Sequence, residues 1–403
     1  MTRVLVVLPT QSYRAPDFLE AAEALGIDVT IATETALPLT AADRAVVVDM
    51  SHPEQAAERI VSLASATPID AVIAVDDRGL PTAARAAAIL GLPHHTVEAV
   101  ETTLDKGSMR TRLARAEVPQ PDWKLLEAGG DPGSLFTEFG GPVVIKPLSL
   151  SASRGVIRAD TAEAALVAAD RIRAIQATAG CDPDAPLLFE RYVDGPEVAV
   201  EAIAWDGEIE ILAHFDKPDP LEGPYFEETI YVTPSRNDPA LLAEIERVTA
   251  TAAAALDLDN GPIHAELRLP QGRPVVIEVA ARTIGGACSR SLRFGLGSTS
   301  LETLVIRQAL GLRKHLSRAP GASGVMMLPI PGRGRLEAVS GRDRCLSEPG
   351  ITDLEISIPV GEDLVPLPEG DRYLGFLFAR GDTPEAVEDS LRRGHALLEF
   401  RIG

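Results

Sequence analysis

The chain has 403 residues, 45% hydrophobic and 24% charged, which fits a packed protein of two or three domains and excludes a disordered one. With 38 Lys and Arg against 59 Asp and Glu, the formal net charge is −21, so nucleic acid and anionic membranes are excluded as expected partners, although a local basic pocket is not. Three scattered cysteines give no metal spacing, and there is no targeting segment and no run of about 18 apolar residues, so a cytoplasmic protein is expected.

The first 95 residues alternate strand and helix. "VLVVL" (4–8) is a continuous apolar run, as in a strand covered on both faces. A helix over 16–25, the strands "DVTIAT" and "AVVVD", a helix over 53–65, "DAVIAVDD" (70–77) and a helix over 79–90 follow. This βαβ series predicts a small parallel sheet. The turn after the first strand, "PTQSYRAP", lacks GxGxxG, which argues against a dinucleotide site and for a structural or substrate-binding role. Residues 96–118 read as one helical stretch ending before Pro119. "GPVVIKPL" and "RGVIRAD" read as strands flanking a Ser-rich loop, and a helix follows over 161–178. Next come "LLFERYVDGPEVAVEAIAWDGEIEIL", a hairpin turning at Asp206-Gly207, and an Ala-rich helix over 238–256. "GPIHAELRLP" and "PVVIEVAAR" form a strand pair before a helix over 300–311, and residues 324–403 read as mixed strand and helix.

The strand pair carries the chemistry. In "PVVIEVAAR" Glu278, Ala280 and Arg282 share one face; in "GPIHAELRLP" His264, Glu266 and Arg268 do. If "QGR" (271–273) is a three-residue loop, Pro270 faces Pro274 and Glu266 lies opposite Glu278; a two-residue loop would separate them. Opposed carboxylates repel, and a hard divalent cation removes that penalty. Lys146 ends "PVVIK" beside the loop "LSLSASRG", where Ser149, Ser151, Ser153 and Gly155 suit phosphate oxygens; Lys106 stands in "LDKGS". Glu190 and the connector at Tyr192-Val193 suit an adenine edge.

Taken in order, these motifs resemble the ATP-grasp superfamily of carboxylate–amine ligases, and within it the dipeptide-forming L-amino-acid ligases. The resemblance implies a multidomain α/β and α+β protein. A Rossmann-like parallel domain (1–95) precedes a two-lobed ATP-grasp domain (96–315; lid lobe about 107–190, large lobe about 191–315), with a C-terminal α+β region at 316–403. It also implies ATP with Mg²⁺, or Mn²⁺ in its place. Lys106 and Lys146 would bind phosphates under the Ser149–Gly155 loop, Glu190 and Val193 the adenine, Glu197 the ribose, and Glu266 and Glu278 the metal. Many superfamily members carry Asn two residues after the second Glu; here that position is Ala280. Arg282 would hold the reacting acid, Gly285 and Gly286 would approach its oxyanion, and Glu228, with Glu227 as second choice, would hold a substrate ammonium. His264 and His214 are read as structural. The expected partners are a small carboxylate and an amine, with a homodimer as the candidate assembly. The rivals are another ATP-grasp reaction, biotin-carboxylase-like or purine-pathway, and a catalytically weak ATP-binding module.

Overall fold

Apolar runs without alternation become strands where both faces can be covered, and the first ninety residues illustrate it. In the computed structural model, which describes residues 2–10, 12–36, 44–297 and 299–403, the N-terminal unit contains β1 (Arg3–Val7), α1 (Ala15–Leu25), β2 (Asp28–Thr33), β3 (Ala45–Val47), α2 (Pro53–Ala66), β4 (Ala71–Ala74) and α3 (Leu80–Leu90). The strands form a parallel sheet in the order β3-β2-β1-β4. The loops leaving the carboxyl ends of β1 and β4 carry Tyr13 and Asp77, which line the large cleft described below.

The helical stretch expected over 96–118 is two helices, α4 (Val97–Leu104) and α5 (Lys106–Arg115). Asp105 between them is extended, and its carboxylate accepts from the Ser108 N–H at 2.6 Å, capping α5. The break puts Lys106 at the first position of a new helix.

The lid lobe comprises β5 (Trp123–Leu126), α6 (Pro132–Phe139), β6 (Val143–Pro147), β7 (Ile157–Ala159), α7 (Ala162–Thr178) and β8 (Leu187–Arg191). Its antiparallel sheet runs β5-β8-β6-β7, with Ile145 and Phe189 packed against Ile172 of α7 in a separate small core. The Ser-rich loop joins β6 to β7, as the sequence predicts.

The large lobe starts with β9 (Glu197–Trp205) and β10 (Glu208–Lys217), joined at Asp206 and Gly207, both with φ in the left-handed region. Then come β11 (Ile230–Thr233), α8 (Pro239–Ala255), β12 (Gly261–Arg268), β13 (Val275–Ala280) and α9 (Leu301–Ala309). The C-terminal region adds β14 (Ala322–Leu328), β15 (Gly334–Ser340), α10 (Arg342–Leu346), β16 (Ile351–Ile356), β17 (Asp363–Leu364), β18 (Gly375–Gly381), α11 (Pro384–Ala396) and β19 (Glu399–Ile402). One eight-stranded antiparallel sheet runs β13-β12-β9-β10-β11-β14-β18-β16, so three C-terminal strands continue the large-lobe sheet.

The β12–β13 hairpin differs from the expected three-residue loop. Arg268 pairs with Val275 and Leu267 with Val276, so the turn between Arg268 and Val275 is longer and Pro270 does not face Pro274. That register alone would set Glu266 against Ile277. A bulge inserts Ile277, and Glu266 pairs with Glu278 after all.

Candidate active site

A cleft lies between the lid lobe and the β12–β13 end of the large sheet. Lys106, Lys146, Ser151, Ser153, Glu190, Val193, Glu197, Glu228, Glu266 and Glu278 all line it, with Val144, Val156 and Ile277 as apolar wall. Ser149 and Gly155 are not among its lining residues.

Lys146 is held from behind. Its ammonium lies 2.6 Å from Glu190, whose other oxygen accepts from Arg110 Nε at 2.5 Å. Burial alone would raise the Glu190 carboxyl, but Arg110 and Lys146 overrule it and bring it to about 2. Arg110 is fully buried, and its remaining nitrogens donate to the carbonyls of Val276 at 3.2 Å and Ile277 at 2.6 Å. These are the carbonyls of the bulge. One guanidinium therefore fixes both the Lys146 anchor and the backbone irregularity that brings Glu266 opposite Glu278.

Lys106 closes the other side. Its ammonium donates to the Leu150 carbonyl at 2.9 Å and stands 3.4 Å from Glu278. The phosphate-loop candidate then turns through Ala152 and Ser153, both left-handed, a conformation that orients consecutive N–H groups. The loop is tied to the C-terminal region: the Gly155 N–H donates to the Pro368 carbonyl at 2.9 Å, and Arg154 lies 3.3 Å from Asp371. Arg171 of α7 makes two hydrogen bonds to Glu369, at 2.6 and 3.0 Å.

At the inner end, Arg268 donates to the Val193 carbonyl at 2.8 Å and to Glu197 at 2.9 Å. Lys217 reaches Glu197 at 2.6 Å, Glu228 at 2.8 Å and Glu266 at 2.8 Å. His264 stands between carboxylates, Nδ1 at 2.6 Å from Glu201 and Nε2 at 3.3 Å from Glu266. Burial opposes its charge, yet Glu201 and Glu266 raise it to about 9. Burial likewise opposes the Glu266 charge, but Lys217 and His264 hold its carboxyl well below the usual range. Burial raises Glu228, against the pull of Lys217. Ala280, across from His264, offers only a methyl group and so no metal ligand.

A second, larger cleft shares Ser151, Ser153, Glu228, Glu266 and Glu278 with the first. Arg282 lines it, but its fork is already engaged: Nε and Nη2 meet Asp77 at 2.7 and 2.9 Å. The Gly286 N–H donates to the Tyr13 hydroxyl at 2.7 Å. At Gly286 φ is +59, and an added Cβ would sit 2.3 Å from Met327 Sδ, so only glycine fits that turn without displacement.

Comparison with known proteins locates this arrangement. Residues 139–291 match the ATP-grasp domain, 19–94 the ATP-grasp N-terminal domain, and 326–403 the L-amino acid ligase C-terminal domain 2. The chain belongs to the ATP-grasp superfamily. It is related there to the L-amino-acid ligase group. The alanine–anticapsin ligase of Bacillus subtilis is 28% identical over 249 residues, 58% of this chain and 52% of that protein, so the chain spans about half the length of that relative. The L-amino acid ligase of Bacillus licheniformis superposes with a TM-score of 0.83 at 23% identity, covering 100% of this chain and 99% of its own. A carboxyaminoimidazole ribonucleotide synthase from Aspergillus clavatus, solved with ATP, gives 0.76 at 18% identity over 98% of each chain. At those identities the two solved structures speak for the fold alone.

Within this ATP-grasp chain, the sequence-predicted residues separate by environment. Lys106, Lys146, Glu266 and Glu278 converge on one cleft. Glu228 faces it, while Glu227 accepts from the Ile330 N–H at 3.4 Å, the opposite orientation expected of neighbours on an extended segment. His214 stands 3.3 Å from Glu246 outside both clefts, but His264 lines the larger one beside Glu266. Arg110, Lys217, Asp77 and Tyr13 were not anticipated. The last two had a signal: each follows the carboxyl end of a parallel strand, where open α/β sheets place ligand-binding loops. Membership of the superfamily implies ATP and Mg²⁺. The residues fit that pair: two ammonium groups face a cleft floored by hard oxygen donors, and Glu197, Glu228 and Glu266 bring carboxylate oxygens within 4.8 Å of one another. Among the described residues no helix is long and apolar enough to cross a membrane.

Proposed function

We propose that the protein is an ATP-dependent ligase that joins a carboxylate, activated as an acyl phosphate, to an amine, with an amino acid or short peptide as substrate and ADP and phosphate as products. The observation that carries this is the continuity of the two clefts. Glu266 and Glu278 line both the first cleft, with Lys106 and Lys146, and the second, with Arg282, Tyr13 and the glycine turn. The kinship with alanine–anticapsin ligase supports an amino-acid substrate.

Bound magnesium-ATP would supply the phosphoryl group and the divalent charge that make the carboxylate reactive toward an amine. Glu266 and Glu278 would hold the metal. Lys146, oriented by Glu190, and Lys106 would meet phosphate oxygens, with Ser151, Ser153 and the backbone of the 149–155 loop covering them. Val193 and Glu190 border the adenine end, and Glu197 the ribose. Arg282 would orient the acid. Its engagement by Asp77 fixes the guanidinium plane, and the substrate meets it as a positioned charge rather than a free fork. The Gly285–Gly286 turn, with the Tyr13 hydroxyl bound to the Gly286 N–H, would face the acyl oxygen. Glu228 would receive the amine. Closure of the lid lobe over the bound substrates would exclude water, which would otherwise hydrolyse the activated acid.

Phosphate release against a matrix of amino acids and short peptides, with mass spectrometry of the products, tests the reading. Glu278→Ala and Lys146→Ala should each lower turnover by at least ~10²-fold, the scale of losing one electrostatic stabiliser. Phosphate release with bicarbonate alone would move the protein to a carboxylating reaction. ATP binding without phosphate release across the whole panel would make it a binding module.

A further inference from the structure

Lys217 ends β10 with its side chain only 3% exposed, and it touches three carboxylates at once: Glu197 at 2.6 Å, Glu228 at 2.8 Å and Glu266 at 2.8 Å. A lysine ammonium has three donors and no acceptor, so its hydrogen-bonding capacity is filled by this one cluster. The Tyr231 ring, 4.8 Å away, covers it further. The same three carboxylates bring oxygens within 4.8 Å of one another, close enough to share a single cation. Glu278, the strand partner of Glu266, stands apart on Lys106 at 3.4 Å. Lys217 therefore occupies the electrostatic place of a cation between the ribose-side and metal-side carboxylates.

We propose that Lys217 is the resident counter-ion of this acidic floor and makes divalent-metal loading depend on nucleotide. A metal approaching Glu266 meets a carboxylate already neutralised by an ammonium, and like charges at that separation repel strongly in a buried site. Nucleotide phosphates supply the additional anionic oxygens that offset this repulsion, so metal and nucleotide enter together. Without the ammonium, Glu197, Glu228 and Glu266 would form a bare three-carboxylate site that takes a hard cation unaided. Lys217 is in this sense a positioning residue. The inference rests on the ligase reading only in taking Glu266 as a metal-facing group.

The test measures Mn²⁺ binding to the full chain by electron paramagnetic resonance, with and without a non-hydrolysable ATP analogue. The native protein should bind Mn²⁺ weakly alone and at least ~10-fold more tightly with the analogue, whereas Lys217→Met should bind it at least ~10-fold more tightly than native without any nucleotide. Adding Glu266→Gln to Lys217→Met should abolish that gain, which separates this site from adventitious binding to an acidic surface. Lys217→Met should also melt lower than native and be restored by Mn²⁺ that leaves the native melting point unmoved. If Lys217→Met is insoluble, Lys217→Gln, which keeps a hydrogen-bond donor beside all three carboxylates without the positive charge, should show the same nucleotide-free gain. Nucleotide-free affinity equal to native in the soluble variant overturns the inference and leaves the ligase reading standing. Failure of the native protein to take up Mn²⁺ even with the analogue would overturn the ligase reading itself.

Discussion

Arg110→Met should loosen Lys146 and the Glu266–Glu278 pairing together. Arg110 is fully buried and donates to Glu190 at 2.5 Å and to the carbonyls of Val276 at 3.2 Å and Ile277 at 2.6 Å. Methionine fills much of the stem volume and supplies no donor. Breaking a buried ion pair by removing one partner costs about 3–5 kcal/mol. The titration of Glu190 gives a second route to the magnitude: a shift from 4.5 to about 2 corresponds to roughly 3 kcal/mol, shared between Arg110 and Lys146. The two orphaned carbonyls add their own cost. A loss of about 3–4 kcal/mol follows, with a melting point about 4 °C lower for a chain of this length. Because the folded carboxyl is depressed, its contribution is present above pH 4.5 and fades as pH falls toward 2, so the gap between native and variant should narrow in acid. Calorimetry of both proteins between neutral pH and pH 3 reads this. Titration with an ATP analogue should show about tenfold weaker binding, since Glu190, which anchors Lys146, loses the partner that orients it. Equal melting points and equal nucleotide affinity would show that the bulge and Lys146 are held by other contacts, and would refute the assignment of Arg110.

His264, raised to about 9 by Glu201 and Glu266 against burial, contributes stability that is complete below pH 6.5 and is lost as pH rises through 9. Native protein should therefore lose up to roughly 3 kcal/mol across that window relative to its own maximum, and His264→Gln should show a flatter profile in thermal melts. The bond between Arg171 and Glu369 ties the lid lobe to the C-terminal region, at 39% and 29% side-chain exposure. Arg171→Glu or Glu369→Arg alone should raise the KM for ATP several-fold, and the double reversal should recover part of it; identical KM values in all four proteins would show the tie to be without effect on the phosphate loop.

Much of this site was legible because strands write their faces into the sequence at period two. Alternation placed Glu266, Glu278 and Arg282 on the cleft side, and the apolar run before Lys146 placed that lysine at a strand end. The reason Glu266 meets Glu278 was not legible. The hairpin turn is longer than the glycine in "QGR" suggests, and a bulge at Ile277 restores the pairing. That bulge depends on Arg110, a residue that reads as one more charged position on a helix and is recognisable only when α5 is packed against β13. Asp105 splits the helical stretch before it by capping, a local competition that a helical period does not reveal. Lys217 was hidden for a related reason. It ends "EIEILAHFDK", where a terminal lysine reads as a surface residue, and only the neighbouring strands bring three carboxylates around it. Arg282 lines the larger cleft, but its pairing with Asp77 joins residues separated by two hundred positions, beyond the reach of any local pattern.

The eight-stranded sheet has a practical consequence for building chimaeras. Because β11 hydrogen-bonds to β14 along its length, a graft made at the junction near residue 316 would tear open the middle of a sheet rather than detach a module. The exposed edge of β11 would present unpaired backbone groups to any neighbouring chain, a recipe for aggregation. Exchange of substrate preference between relatives is better sought in the loops after β1, β4 and β10, which reach the cleft without breaking a strand pair.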